Sequence, residues 1–216
     1  MNGGGAVVPL LDWPVGLRLL LGSASPRRTE LLTVAGIPHD VQPPPPLPAD
    51  VLAAARALRD TDPDGYALRL AAAKARAVAG AAPDRLVLGA DTIVVLDGEV
   101  LEKPGDAGEA LAMLERLSGR THTVITAVAL ARGPALLWHD RDRTRVTFAD
   151  VPRRRLARYV ATGEPLDKAG AYGIQGYGAL LVRRLEGCYF NVMGLPLALL
   201  AAGLDRVLGT AGEAGP

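Results

Sequence analysis

The chain has 216 residues, 49% of them hydrophobic, which supports one sizeable core and excludes disorder over most of the length. Lys and Arg number 24 against 23 for Asp and Glu, a balance that lacks the global electrostatic footprint of a nucleic-acid binder. Cys188 is the single cysteine, which excludes an internal disulfide and suits a reducing cytoplasm.

Residues 1–16 read as a loose extension; the stretch has no basic start, and Asp12 and Pro14 interrupt its apolar run, so it does not read as a secretory signal. Residues 17–22 then form an apolar strand, and 26–35 a helix ended by Gly36. QPPPPLP, 42–48, is an extended connector, because proline denies it helix and central strand alike. A helix covers 66–79. LVLGADTIVVL is a strand turned back by Asp97-Gly98 into the short strand EVL. A helix covers 106–117. Two long strands, TVITAVALA and ALLWHDRDRTRVTFA, are joined at Arg132-Gly133-Pro134. A helix follows over 152–162, then a glycine-rich loop over 170–178 and a strand, ALLVRRL. Residues 187–204 carry no charge and just reach the length of a membrane span, but Asn191, Pro196 and three glycines favour a buried core helix. Strands mixed with helices and at least two hairpins predict a mixed α/β domain over 17–208, with 209–216 as a flexible tail.

SASPRR, 23–28, joins the first strand to the first helix. Ser25 suits the N-cap and Pro26 the first helical position. Arg27 and Arg28 oppose the positive end of the helix dipole unless an anion sits there. Ser23, Ser25 and two arginine forks then describe a phosphate cradle; without an anion they describe an ordinary capped helix. Asp91 stands alone in an apolar strand, where a carboxylate must be paired, bound to metal or shifted in pKa. It is a candidate general base, metal ligand or both, with Thr92 beside it; the structural alternative is a strand-end turn cap. Tyr66, Leu70, Lys74 and Val78 share one helix face, so Lys74 is a cation on the apolar side that needs a partner or must snorkel. Lys103, in EVLEKPGD, follows the hairpin that begins with the Asp91 strand. In LDKAGAYGIQGYG, Gln175 sits among four glycines, and its carboxamide offers a donor and an acceptor that complement the imide edge of uracil or thymine.

Other features bear less on function. His39, His122 and His139 show no ligand spacing. Arg141, Arg143 and Arg145 line one face of a strand with Asp140 and Asp142 on the other, and PRRRLAR follows; such runs are either solvated faces or a surface for an acidic partner. Neither GxxxxGK[ST] nor GxGxxG occurs.

Taken in order, SASPRR, LAAAKA, GADTIVVLDGEVLEKPGD, LSGRTHTVITAVAL and EPLDKAGAYGIQG followed by GLPLALL resemble the Maf family of nucleoside triphosphate pyrophosphatases over roughly 17–204. The resemblance implies a two-lobed fold like that of the inosine triphosphatases, a twisted mixed sheet around a central cleft, often as a homodimer. It implies cleavage between the α and β phosphates with Mg²⁺ or Mn²⁺. Asp91 matches the family's proton acceptor, Ser23, Ser25, Arg27 and Arg28 its phosphate loop, and Lys74 and Lys103 its cleft lysines. Arg27, Thr92 and Gln175 match the branch acting on dTTP and UTP. The connector departs from the family, which usually carries an acidic metal ligand there; Asp40 and Asp50 flank it here out of clear register. A different nucleotide, or a non-catalytic division regulator that binds nucleic acid or protein, are the competing expectations.

Overall fold

The structure, a computed structural model, describes residues 10–212; residues 1–9 and 213–216 of the two expected terminal segments lie outside the described residues. In chain order the elements are β1 (Leu19–Gly22), α1 (Pro26–Val34), β2 (His39–Val41), α2 (Ala49–Arg56), α3 (Pro63–Ala81), β3 (Val87–Leu96), β4 (Glu99–Leu101), α4 (Ala107–Leu117), β5 (Thr121–Arg132), β6 (Ala135–Phe148), α5 (Arg153–Val160), β7 (Val182–Glu186), α6 (Tyr189–Met193) and α7 (Leu197–Gly212). Short 3₁₀ turns cover Glu164–Asp167, Ala169–Ala171 and Gly176–Leu181.

Among the described residues seven strands form one mixed sheet in the order β2-β1-β3-β5-β6-β7, with β4 pairing β3. β1 runs parallel to β2 and β3, and the other pairs are antiparallel. The outer edge of β3 is shared between two neighbours. β1 pairs with it as far as Gly22↔Gly89, and β4 begins at Val94↔Leu101. Residues Ala90–Ile93 between them have no strand on that side, and the cleft opens there. This is the place where a loop leaving the carboxyl end of a parallel strand can meet a ligand.

The apolar residues divide about this gap into two lobes. In the first, α3 packs on one face of β1, β3 and β5, while α1 and α7 cover the other. The second gathers α4, α5 and the 3₁₀ turns around the far ends of β3, β5 and β6. The approach of α3 to the sheet depends on Gly89. A Cβ there would lie 2.4 Å from the Ala71 carbonyl oxygen and 2.6 Å from the Ala75 nitrogen. Only a glycine permits this contact.

Several expectations need correction. The proline connector is irregular as predicted, but its flanks form β2 and α2, too short and too exposed to leave a periodic signal. The segment 187–204 is two helices, broken at Gly194-Leu195-Pro196. ALLVRRL becomes strand only from Val182, because 176–181 winds into a 3₁₀ turn. Residues 10–16 are not loose throughout: Leu11 and Trp13 pack on the core, and Trp13 Nε1 donates to the Leu17 carbonyl at 2.8 Å. α7 runs to Gly212, four residues into the expected tail. No helix among the described residues is long and apolar enough to cross a membrane.

β7 covers only Arg145–Phe148 of β6, leaving the earlier part of that strand as a sheet edge. There the amides of Arg141 and Arg143 donate to the carboxylates of Asp140 and Asp142, at 2.8 and 2.7 Å.

Candidate active site

A cleft of about 360 Å³ is lined by Ser25, Arg27, Arg28, Lys74, Asp91, Thr92, Lys103 and Gln175. Of the nine residues singled out in the sequence, only Ser23 is not in its wall. Tyr66, Glu102, Asp167, Lys168 and Gly194 also line it. None of these five carries a local signal of its own, although Glu102 adjoins Lys103 and Tyr66 shares the face of Lys74.

Asp91 is buried on the bare stretch of β3. One of its carboxylate oxygens, Oδ1, accepts from Lys74 Nζ. The pairing follows from Gly89. Gly89 and Asp91 point to the same face of β3, and the close packing of α3 at Ala71 and Ala75 brings Lys74 alongside. No hydrogen bond among the described residues reaches Oδ2. Lys103 is exposed at the rim.

SASPRR folds as predicted but distributes its work differently. Ser25 occupies the N-cap position, yet its hydroxyl makes no capping bond and stays available to the cleft. Ser23 is buried behind the turn, where its hydroxyl oxygen accepts from the Ser25 amide at 3.2 Å and from Arg28 Nη1 at 2.9 Å. Arg27 lies on the cleft wall, 3.7 Å from Asp167.

Arg28 is buried and largely committed to the protein. Its Nε donates to the Gly194 carbonyl at 2.8 Å, Nη1 to Ser23 and to the Ala90 carbonyl at 3.0 Å, and Nη2 to Thr92 Oγ1 at 3.1 Å. Among the described residues four of its five N–H groups are engaged, leaving one for a ligand. Burial lowers its pKa to about 10, so it remains a cation at neutral pH. The Gly194 carbonyl reaches it because the helix break there places Gly194 at φ +108°, and a Cβ would press within 3.3 Å of Thr92 Oγ1.

The orientation of the Thr92 hydroxyl follows by elimination. Thr126 Oγ1 donates to the Asn191 carbonyl at 2.8 Å, so it accepts from Thr92, 2.9 Å away. Thr92 in turn accepts from Arg28. A directed chain Arg28→Thr92→Thr126→Asn191 thus forms the floor of the cleft, and the Thr92 proton is not free for a base.

Opposite lies the Gln175 loop. Gln175 is half-buried, and no partner among the described residues bonds its carboxamide. The preceding Tyr172 is pinned to β5 by His122, whose Nε2 lies 2.7 Å from the Tyr172 hydroxyl. Both rings pack edge-on against Phe148. Burial lowers the His122 pKa to about 4 and raises that of Tyr172.

The two connector carboxylates do not join the site. Asp40 binds Arg18 and Arg85 on the outside of the sheet, and those bonds hold its pKa at about 2. Asp50 is exposed in the first turn of α2. The arginine stripe of β6 is also engaged: Arg141 and Arg143 both reach Asp64 on α3.

Comparison with known proteins bears on the family and the fold. A model of the family described as Maf-like protein matches residues 18–207. A dTTP/UTP pyrophosphatase of Moorella thermoacetica is 54% identical over 183 residues, covering 83% of this chain and 90% of that one. A dTTP/UTP pyrophosphatase of Koribacter versatilis is 49% identical, covering 88% and 94%. Among solved structures, a HAM1 protein from Coxiella burnetii superposes with a TM-score of 0.50 at 15% identity, over 88% of this chain and 99% of that one, which speaks for the fold alone. With the family model matching residues 18–207, most of its length, the chain belongs to the Maf family.

Proposed function

We propose that this protein hydrolyses dTTP and UTP to the nucleoside monophosphate and pyrophosphate. The observation that carries the reading is a buried carboxylate, Asp91, held by Lys74 on an unpaired strand edge, with Arg27 and the Ser25 turn on one side and a free carboxamide, Gln175, on the other. The triphosphate would lie along the Ser25 turn. Arg27, Lys74, Lys103 and the remaining N–H of Arg28 would offset charge as the bond from the α-phosphorus to the bridging oxygen breaks. Asp91 would take the proton of the attacking water. Gln175 would read the imide edge of uracil or thymine. Thr92 would act on selectivity through shape and through Arg28, since its own proton is committed to Thr126.

Mg²⁺ or Mn²⁺ is part of this reading. Among the described residues no group of three acidic, histidine or cysteine side chains could form a cage. Glu102 Oε1 accepts from Tyr66 and Asp167 Oδ1 pairs with Lys168, while Asp91 Oδ2 and Glu102 Oε2 accept no hydrogen bond among the described residues. Such a set fits an ion carried mainly by phosphate oxygens, the usual arrangement for Mg²⁺. Asp91 would hold it, and the ion would polarise those oxygens. A cytoplasmic homodimer completes the reading, and light scattering checks the dimer.

The test is to incubate the purified protein with Mg²⁺ or Mn²⁺ and a panel of nucleoside triphosphates, measuring pyrophosphate and monophosphate. Selective release from dTTP and UTP is expected. Turnover of another base instead would keep the chemistry and overturn the role of Gln175. Absence of turnover with every nucleotide would overturn the enzymatic reading.

A further inference from the structure

We propose that Tyr159 and Glu164, neither of which lines the cleft, are positioning residues that set base selectivity by fixing the loop that carries Gln175. The proposal rests on the reading of Gln175 as the base-recognising residue.

Gln175 sits in irregular backbone between two 3₁₀ turns, where no strand or helix ladder fixes the chain. The surrounding amides find their acceptors in two side chains instead. The Glu164 carboxylate accepts from the Gly178 amide at 3.2 Å through Oε1 and from the Tyr177 amide at 3.1 Å through Oε2. Oε1 also accepts from the Tyr159 hydroxyl at 2.9 Å. That hydroxyl then accepts from the Gly173 amide at 3.1 Å. The backbone is therefore held two residues before Gln175 and two and three residues after it. The anchors form one connected unit, because the Tyr159 hydroxyl joins the two halves.

The closure is tight. A Cβ at Gly178 would lie 2.1 Å from the Gly173 carbonyl oxygen and 2.7 Å from the Tyr159 hydroxyl, so the two ends of the loop touch. Gly176 has φ +64°, and a Cβ there would come within 2.7 Å of Glu164 Oε2. Burial and the neighbouring Glu164 raise the Tyr159 pKa, which keeps the phenol a donor to the carboxylate. A carboxylate accepting from two amides and a hydroxyl makes charge-assisted bonds, stronger than neutral ones. The carboxamide of a glutamine reads a base only while its Cα is fixed. Loosening the frame lets donor and acceptor exchange places, which blurs the match to one base edge without disturbing Asp91.

Tyr159→Phe and Glu164→Gln test this, with Glu115→Gln as a control on an exposed ion pair to Arg153 near the same helix. For each protein, kcat and KM are measured for dTTP, UTP, dCTP and CTP, together with amide hydrogen exchange at Gly173 and Gly178. In Tyr159→Phe the ratio of kcat/KM for dTTP over dCTP should fall about tenfold, as for the loss of one hydrogen bond to a buried donor. The change should fall mainly in KM for the preferred nucleotides, with kcat within about twofold. Exchange at Gly173 should quicken while β5 stays protected. Glu164→Gln should act in the same direction, and Glu115→Gln should change nothing. Faster exchange at an unchanged ratio would overturn the proposal, as would an equal loss for every nucleotide. If the wild type prefers another base, the reading of Gln175 fails while this proposal is still tested by whether that preference flattens. A wild type without preference overturns both.

Discussion

The Arg28 flank of the cleft stands on regular elements; the Gln175 flank stands on turns. On the first, β1 delivers the Ser25 turn, β3 delivers Asp91 and α3 delivers Lys74, and each arrives from a buried face. On the second, a glycine-rich stretch is shaped by Tyr159, Glu164 and His122. The first flank holds groups whose task is common to every triphosphate. The second holds the group that would tell bases apart. Chemistry rests on the stiffer support, and selectivity on the part whose supports are side chains and so can be changed singly.

The sharpest way to break this comparison is at Asp91. Asp91→Asn should cut turnover on the order of a hundredfold or more for every nucleotide, with little change in melting temperature. Pyrophosphate release beside thermal denaturation checks both halves, and a wild-type rate would remove Asp91 from the chemistry. Gly89→Ala attacks the same flank from behind. Its new methyl would meet the α3 backbone, costing roughly 1–3 kcal/mol and displacing Lys74 from Asp91. Denaturant titration should show the loss, and turnover should fall alike for all bases. Gln175→Glu loses the carboxamide donor, so preference for uracil and thymine should weaken about tenfold while turnover persists. An unchanged nucleotide profile would end its assigned role.

Acid offers the mildest discrimination. His122 titrates near 6.5 in the unfolded chain and near 4 in the folded one. Between those values the unfolded state binds the extra proton, so stability falls as pH falls. The loss is about 1 kcal/mol by roughly pH 5.5. In the folded protein His122 stays neutral until about pH 4, so its contact with Tyr172 behind Gln175 persists over this window. Base selectivity should hold down to about pH 5, since folded His122 stays neutral there, and His122→Phe should flatten that part of the stability curve.

The legible parts of the molecule were those with local signals. An apolar run before Ser-Pro-Arg-Arg marks a strand, a turn and a helix start, and a lone carboxylate within LVLGADTIVVL must be explained wherever it occurs. Lys74 stood out because helical spacing put it on the apolar face. The role of Arg28 was not legible, because its partners at Ala90 and Gly194 are 62 and 166 residues away. In sequence the SASPRR arginines look equivalent, and folding makes one a wall residue and the other a floor. The Gln175 frame was hidden for a different reason. Glutamate 164 and tyrosine 159 look like surface and core residues respectively, and only tertiary closure shows them holding three amides. β2 and α2 were missed because they bury too little to leave a pattern: β2 has three residues, none of them buried, and α2 buries only Ala55.

The aspartates of β6 bear on how these molecules behave when crowded. An open strand is a template, and a second chain would recognise it by its row of unpaired amides. Here two outward amides are already occupied by Asp140 and Asp142, and those anions would repel the carbonyls of an incoming strand. That stretch of the open margin of the sheet is thereby made less receptive to a further strand. Fibrillar growth from this part of the edge is disfavoured accordingly.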